Sequence, residues 1–368
     1  MIAYWTMFSL PVLAILVGRP KSNHRSLAFW TIVVVAYSFF IGLRYDVGGD
    51  WTSYLVHYDR MSNVPFAKVF LEKDAGYAAL NWLSNKVSGQ VYLVNFVCGV
   101  ILMLGVVSFS RRQPFPCLAL LVAVPYMIIV VGMGYTRQSA ALGFELLAIV
   151  ALIDGRFYRF ALLIICGALF HKSAVILLPL AALASTRKRL WTWTWVAVVS
   201  YVMVSLILYE HKDYLWHHYV ERSRVSEGGG IRVAMNAVPS LIFLLFRERF
   251  AFNDYENKLW TWIAWFSLTC IPLVFFASTA VDRVALYFMP MQLLIFARVS
   301  QVVSIRFYRP LIRWGVVAGY ALVLFVWLNF ASHAFAWLPY QNRFFNEKKD
   351  HTFRQHRMVS LQLPPGVG

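Results

Sequence analysis

The chain has 368 residues, of which 60% are hydrophobic and only 14% are charged, whereas soluble domains carry about 25% charged residues. This composition excludes a water-soluble globular protein and indicates an integral membrane protein with many helices. The formal net charge of +17 is explained by basic loops on one side of a membrane, so no nucleic-acid partner is expected.

The hydrophobic stretches predict an all-α polytopic membrane protein with about twelve transmembrane segments. In chain order these segments are 2–18, 27–43, 91–110, 117–133, 137–153, 158–170, 172–185, 191–209, 233–247, 259–278, 283–299 and 311–331. Residues 1–331 would form a single transmembrane domain, followed by a polar and basic C-terminal tail at 332–368. The membrane side of that tail stays open.

Two stretches of the loop 44–90 are too polar to cross a bilayer, but their apolar residues recur at helical spacing. They predict helices at 51–61 and 75–88 that lie in the membrane interface.

Basic residues cluster in short connections, for example at 111–112, 156–159, 187–189 and 298–313. Alternating the twelve segments places these groups on one side, which the positive-inside rule makes cytoplasmic, with both termini outside. One continuous span at 158–185 would move one group to the outer side. We therefore predict a broken pair of half-helices that meet at His171, as is tolerated around a polar cavity.

Four polar clusters interrupt the apolar chain, and this topology puts all of them on the outer side. They are residues 44–50, 137–138, 171–173 and 282–283. An arginine inside a bilayer is costly unless water or a polar ligand reaches it. The three arginines of these clusters therefore predict a site for an anionic ligand.

Each cluster also has a structural interpretation. Asp50 could cap the helix that follows it, or it could share a face with Tyr54 beside the anion held by Arg44. Arg137 could be a snorkelling residue at the end of a span, with Gln138 beside it. Glu145, near the middle of that span, could support the site or only contribute to helix packing.

His171 could be a packing residue, or a base or phosphate partner at the break next to Lys172 and Ser173. Arg283 and Tyr287 share a helix face and could together donate to a phosphate or sugar, whereas Asp282 and Arg283 could simply form an ion pair.

No metal or cofactor site is predicted. The four cysteines lie in apolar stretches without metal-ligand spacing, and no P-loop or dinucleotide fingerprint is present. They are Cys98, Cys117, Cys166 and Cys270.

Four motifs in order, at 42–54, 135–141, 170–174 and 282–288, resemble the EpsG/Wzy-type polysaccharide polymerases. The resemblance implies a multi-pass glycosyltransferase of the bacterial inner (cytoplasmic) membrane with its active site facing the periplasm. Such enzymes join repeat units carried on undecaprenyl pyrophosphate into O-antigen, capsule or exopolysaccharide, without metal or nucleotide sugar. Donor and acceptor are lipid-linked oligosaccharides in the membrane lipid, and a chain-length regulator and a flippase are candidate partners.

We combine this resemblance with the residues to assign three groups. The catalytic residues are Asp50, His171, Arg137 and Arg283. The pyrophosphate-binding residues are Arg44, Arg137, Arg283 and Lys172. The sugar-binding residues are Tyr54, Gln138 and Tyr287.

Three other functions stay open. An O-antigen ligase uses the same donor with a different acceptor, and the sequence does not separate it from a polymerase. A glycolipid transporter or flippase also uses intramembrane charges and broken helices, but usually shows internal repeats. A membrane O-acyltransferase with His171 as base would need an inward path for acyl-CoA.

Overall fold

The computed structural model describes residues 1–17, 26–184, 194, 228–276 and 278–344, and the regular elements in these ranges are helices. The first half contains α1 (Ile2–Val17), α2 (Leu27–Gly42), α3 (Trp51–Ser62), α4 (Phe66–Val69), α5 (Ala75–Lys86), α6 (Gln90–Ser110), α7 (Pro116–Gly134) and α8 (Thr136–Ile153). The second half contains α9 (Phe157–Phe170), α10 (Leu178–Ala184), α11 (Gly229–Phe246), α12 (Asp254–Leu273), α13 (Ser278–Ala285), α14 (Pro290–Val302) and α15 (Tyr308–Phe330). Short 3-10 turns follow α9, α11, α13 and α15, at Lys172–Leu177, Arg247–Phe250, Leu286–Phe288 and Ala334–Ala336. The predicted all-helical class is confirmed.

Among the described helices, five are long and apolar enough to cross a membrane: α6, α7, α8, α11 with its 3-10 extension, and α15. The pair α13–α14 is bent by 47° and makes a sixth if it is one span. The chain is therefore a multi-pass membrane protein, but the predicted number of about twelve segments is not confirmed.

Helix length explains part of the difference; α12, with 20 residues, is long enough but begins with the polar stretch 254–258. The apolar helices α1, α2 and α9 have 16, 16 and 14 residues. At 1.5 Å per residue they extend about 21–24 Å, less than the ~30 Å of a hydrocarbon core. The sequence showed their apolar character but not where each helix ends. The predicted segment 191–209 lies outside the described residues.

The buried centre of the bundle is α7, whose whole apolar window is enclosed by neighbouring helices. A π-helical stretch, Val124–Val131, runs through it and includes Pro125. Beside it, α6 and α8 approach closely at Gly105 and Gly143: a Cβ on Gly105 would lie 2.8 Å from the Gly143 Cα. Such contacts between small residues let helix backbones meet in a membrane.

The ends of α6 and α8 are joined on one side of the bundle. Arg112 follows α6 and donates from Nη1 and Nη2 to both oxygens of Asp154, which follows α8, each over 2.7 Å. The start of α8, at Thr136, therefore lies at the opposite end of the bundle.

The helices α3, α4 and α5 form a small lobe between α2 and α6. The predicted helices at 51–61 and 75–88 are present as α3 and α5. Side-chain donors tie the lobe together: Trp82 Nε1 donates to the Val64 carbonyl over 3.1 Å, and Asn85 Nδ2 to the Tyr58 carbonyl over 3.0 Å. Their placement in the membrane interface remains a prediction.

The helix break predicted at His171 is present. α9 ends at Phe170, His171 has an extended backbone (φ −153°, ψ 111°), and a 3-10 turn then leads into α10. The basic residues at 187–189 that motivated the prediction lie outside the described ranges.

The first residues after α15 pack onto the bundle. Ala334 and Trp337 are buried, with 5% and 3% of their surface exposed, and Trp337 belongs to the same core as α1 and α7. Residues 332–368 are polar and basic as a whole, and this average did not show that the apolar residues at the beginning of the segment are buried. Residues 345–368 lie outside the described part of the chain.

Candidate functional site

An ion pair between Arg137 and Asp74 marks the site. Arg137 follows a helix break at Tyr135 and lies in the first turn of α8. Its Nη1 donates to Asp74 Oδ2 over 2.7 Å. The Asp74 side chain is 1% exposed and that of Arg137 is 37% exposed. A buried carboxylate therefore holds a guanidinium whose outer part is open to solvent or ligand.

Asp74 also reaches the break in the neighbouring half-helix. Its Oδ1 accepts a hydrogen bond from the Lys172 backbone N–H over 3.3 Å. The start of α5 lies directly on the end of α9, since a Cβ on Gly76 would be 2.9 Å from the Leu169 Cβ. One carboxylate thus joins the 135–141 motif to the 170–174 motif.

His171 is largely enclosed at this junction. Its Nδ1 is buried and has no hydrogen-bond partner among the described residues. Burial lowers the pKa of His171 to about 4; Asp74 raises it, whereas Arg137 and Arg283 lower it further. The imidazole is therefore neutral at pH 7, and it lies within electrostatic reach of both arginines.

The fourth motif reaches the site through Gln138 and Arg283. Gln138 Nε2 donates to the Arg283 carbonyl over 2.8 Å. This bond joins the first turn of α8 to helix α13. The Arg283 side chain is exposed. The partner of Asp282 is Arg232 in α11 and not its sequence neighbour, contrary to the simple Asp282–Arg283 pair. In the described ranges Arg283 forms no ion pair, so its guanidinium can meet a ligand.

Asp50 lies immediately before α3, but in the described structure its carboxylate caps none of the first amides of that helix. The capping interpretation is therefore wrong. Asp50 is exposed, but nearby protein atoms remove part of the hydration of its carboxylate. This desolvation raises its pKa, while Arg137 and Arg283 lower it. The carboxylate thus lies within electrostatic reach of both arginines.

Arg44 has a different role from the predicted pyrophosphate contact. It is 0% exposed. Its guanidinium donates to the carbonyls of Ile41 (2.6 Å) and Val47 (3.2 Å) and to the side chains of Asn95 (3.1 Å) and Thr136 (2.7 Å). These bonds shape the loop that carries Asp50 and fix it to the start of α8. Arg44 therefore supports the site from behind and has no surface for a ligand.

The three predicted sugar-binding residues are also enclosed. Tyr54, Gln138 and Tyr287 are 5%, 4% and 1% exposed. The Tyr287 and Ser173 hydroxyls lie 2.9 Å apart. The contacts of these three side chains hold helices together, so in this conformation they are packing residues. Sequence spacing could not show that neighbouring helices cover these side chains.

The four sequence motifs therefore meet at one end of the bundle. The exposed or half-exposed groups there are Asp50, Arg137, Lys172 and Arg283. The sequence did not reveal Asp74. It precedes a short helix, where an ordinary N-cap is expected, and its partner Arg137 is 63 positions away. Among the residues that the structure describes, no cluster of three or more His, Cys, Asp or Glu suits a metal ion.

A sequence model of the EpsG family matches residues 27–342, a range that contains all four motifs and every residue of the site. The chain belongs to the EpsG family. This is the family of Wzy-type/exopolysaccharide polymerases, so the resemblance drawn from the motifs is confirmed. Searches of curated proteins and of solved structures gave no match.

The EpsG family match includes the α3–α5 lobe, which supplies Asp74, and it extends through the segment after α15 as far as residue 342. Membership indicates a polysaccharide polymerase role in a glycosyltransferase-like family.

Proposed function

We propose that this EpsG-family chain is a polysaccharide polymerase that transfers a growing glycan from undecaprenyl pyrophosphate to a lipid-linked repeat unit. One observation supports this most directly. Two accessible arginines, Arg137 and Arg283, lie within electrostatic reach of the Asp50 carboxylate, which does not cap α3. A diphosphate leaving group needs cationic donors, and an attacking hydroxyl needs a base. The site offers both.

In this proposal the pyrophosphate is held by Arg137 and Arg283, with Lys172 at the half-helix break. Guanidinium groups can bind phosphate oxygens in a bidentate manner and stabilise the charge that develops as the bond breaks. Asp74 orients Arg137 through the 2.7 Å ion pair. Arg44 is not part of this set, because its donors are occupied inside the protein.

The reaction forms one bond and breaks another. The acceptor hydroxyl oxygen attacks the anomeric carbon of the donor, and the bond from that carbon to the pyrophosphate oxygen breaks. The electron pair leaves with the lipid pyrophosphate, and the hydroxyl proton passes to Asp50. Since the partial loss of hydration raises the pKa of Asp50, it is a stronger base than an ordinary carboxylate. His171 is the second candidate base, as a neutral imidazole.

We place this site on the periplasmic side of a bacterial inner membrane. The Arg112–Asp154 pair belongs to the basic connections predicted to be cytoplasmic, and it lies at the opposite end of α8 from Arg137. The partners are then lipid-linked donor and acceptor oligosaccharides in the membrane lipid. A flippase and a chain-length regulator would act with it, and no metal, cofactor or nucleic acid is involved.

The test uses purified protein in detergent with undecaprenyl-pyrophosphate-linked repeat units. Arg137→Ala and Arg283→Ala should each lower polymer formation by roughly 100-fold or more, the size of effect seen when a transition-state donor is removed. Arg112→Ala is the matched control, because it removes an exposed arginine from the other end of the bundle at little cost. Normal long chains in both site variants would reject the proposal.

The same assay separates the alternatives. A detergent solution has no sealed compartments, so a transporter or flippase would leave the oligosaccharides at one repeat unit. A ligase would leave them unchanged until a lipid A core acceptor is added. Longer lipid-linked product in the absence of that acceptor supports the polymerase.

A further inference from the structure

The segment from Ala331 to Phe344, here called the C-terminal strap, runs along the loop that carries Asp50. Three backbone hydrogen bonds join them: Arg343 N–H to the Leu43 carbonyl (2.9 Å), Tyr45 N–H to the Gln341 carbonyl (3.0 Å) and Gly48 N–H to the Ala336 carbonyl (2.8 Å). The strap therefore satisfies the backbone of an irregular loop at three points between α2 and Asp50.

Trp337 fixes the strap to the end of α7. Its indole Nε1 donates to the Ile129 carbonyl over 3.2 Å, and its own carbonyl accepts from the Tyr4 hydroxyl over 2.5 Å. The six-membered part of the ring covers Gly134, where a Cβ would overlap with the Trp337 Cζ2. Gly134 is followed by the break at Tyr135 and then by the turn that carries Arg137.

The loop and the end of α7 also touch directly. Gly48 has φ +104°, and a Cβ there would overlap with the Met133 carbonyl oxygen. The Asp50 loop is thus enclosed between the strap on one side and α7 on the other. Trp337 therefore contacts the supports of both parts of the site. It fixes the strap, which binds the Asp50 loop, and it packs on Gly134, which precedes the turn that carries Arg137.

We infer, on the basis of the proposed function, that Trp337 is a positioning residue that sets the separation between Asp50 and Arg137. Trp337 lies 200 residues from Arg137 in the chain and touches neither reacting group. It acts by holding the strap in place, and the strap in turn holds the loop that carries Asp50. Small errors in the placement of a reacting group cost on the order of 100-fold in rate, so a loosened strap should slow the chemical step.

The first experiment compares Trp337→Ala with Trp265→Ala, which removes a half-exposed tryptophan on α12. Trp337→Ala should lower kcat by on the order of 10- to 100-fold and change KM for the lipid-linked donor little. Hydrogen exchange of the peptide 43–50 should become faster, because Tyr45 and Gly48 lose fixed acceptors. Trp265→Ala should alter neither measurement.

The second experiment tests the contact between Trp337 and Gly134 by changing the glycine, so it does not depend on deleting a large side chain. Gly134→Ala places a methyl group against Cζ2 and Cη2 of Trp337 and should lower kcat. Trp337→Phe removes those two ring atoms while it keeps an aromatic ring in place. The double variant Gly134→Ala/Trp337→Phe should therefore be more active than Gly134→Ala alone. If the loss of kcat in the double variant instead equals the combined losses of Gly134→Ala and Trp337→Phe, the inference is overturned.

The outcomes also separate this inference from the proposed function. Faster exchange at 43–50 with unchanged kcat in Trp337→Ala would show that the strap holds the loop without positioning the site, and the inference fails. If the arginine variants polymerise normally, the proposed function fails instead. The hydrogen-exchange result would still report whether Trp337 holds the loop.

Discussion

Asp74 and Arg137 are 63 positions apart in the chain, yet they form an ion pair of 2.7 Å at the centre of the candidate site. The carboxylate is buried and the guanidinium is partly exposed. Asp74 also accepts the Lys172 N–H, so it connects the lobe, the first turn of α8 and the half-helix break. The position of Arg137, the proposed pyrophosphate-binding cation, therefore depends on a residue outside the four motifs.

Asp74→Asn should lower polymer formation by roughly 10-fold or more, because the amide keeps the shape of the side chain but no longer neutralises and orients Arg137. Its effect on the free energy of unfolding should be ~1–3 kcal/mol, since a buried hydrogen-bonded group loses its charge. Asp74→Ala should be worse in both respects. Steady-state kinetics and thermal unfolding in detergent test this, and wild-type activity in Asp74→Ala would contradict it.

Arg44 variants should fail by instability and not by a selective loss of catalysis. Arg44→Ala leaves four neutral acceptors inside the protein without their donor, and each buried acceptor left unsatisfied costs about 1–3 kcal/mol. Arg44→Lys keeps the charge but lacks the planar fork, so it should also be destabilised. The measurements are yield of folded protein and melting temperature. A stable, folded but inactive Arg44→Ala would instead favour a direct ligand contact.

The pH profile of the reaction should report Asp50. The base must be ionised, so kcat/KM should rise with pH through the pKa of Asp50, which burial places above the ordinary value of about 3.9. Asp50→Asn should abolish this rise of kcat/KM with pH, together with most activity. His171→Asn should leave the rise in place. If the rise instead disappears in His171→Asn, the base is the histidine.

The raised pKa of Asp50 also has a defined effect on stability. The folded state binds this proton more tightly than the unfolded chain, so the contribution of Asp50 to stability is greatest below the ordinary pKa. It decreases as the pH rises through the raised pKa of the folded protein. Asp50→Asn should remove this decrease, which a comparison of melting temperatures with wild type between about pH 4 and pH 7 would show.

Glu145 should tolerate loss of its acidic group. It is fully buried within α8, and neither carboxylate oxygen has a hydrogen-bond partner among the described residues. An ionised carboxylate there would be costly, so we expect the neutral acid. Glu145→Gln should unfold within about 1 kcal/mol of wild type, and Glu145→Leu should be neutral or stabilised. Lost polymerisation in a stable Glu145→Gln protein would show that the acid supports the reaction.

Local properties of the sequence were enough to predict the class of this protein and the neighbourhood of its site. Apolar content and helical periodicity indicated a helical membrane protein. The polar residues at 44–50, 137–138, 171–173 and 282–283 were recognised as a set because charges in apolar segments are costly. The break at His171 followed from the sidedness of basic residues. Each of these inferences uses composition and order along the chain and does not require knowing which helices pack together.

Only the tertiary structure distinguished the residues that face a ligand from those that support them. Arg44 and Arg283 look equivalent in the sequence, but Arg44 is enclosed by its hydrogen bonds and Arg283 is exposed. Asp74 and Trp337 carried no signal, because their partners are distant in the chain. Burial and pairing depend on which helices pack together, and the period of a hydrophobic pattern specifies a face without specifying the neighbour that covers it.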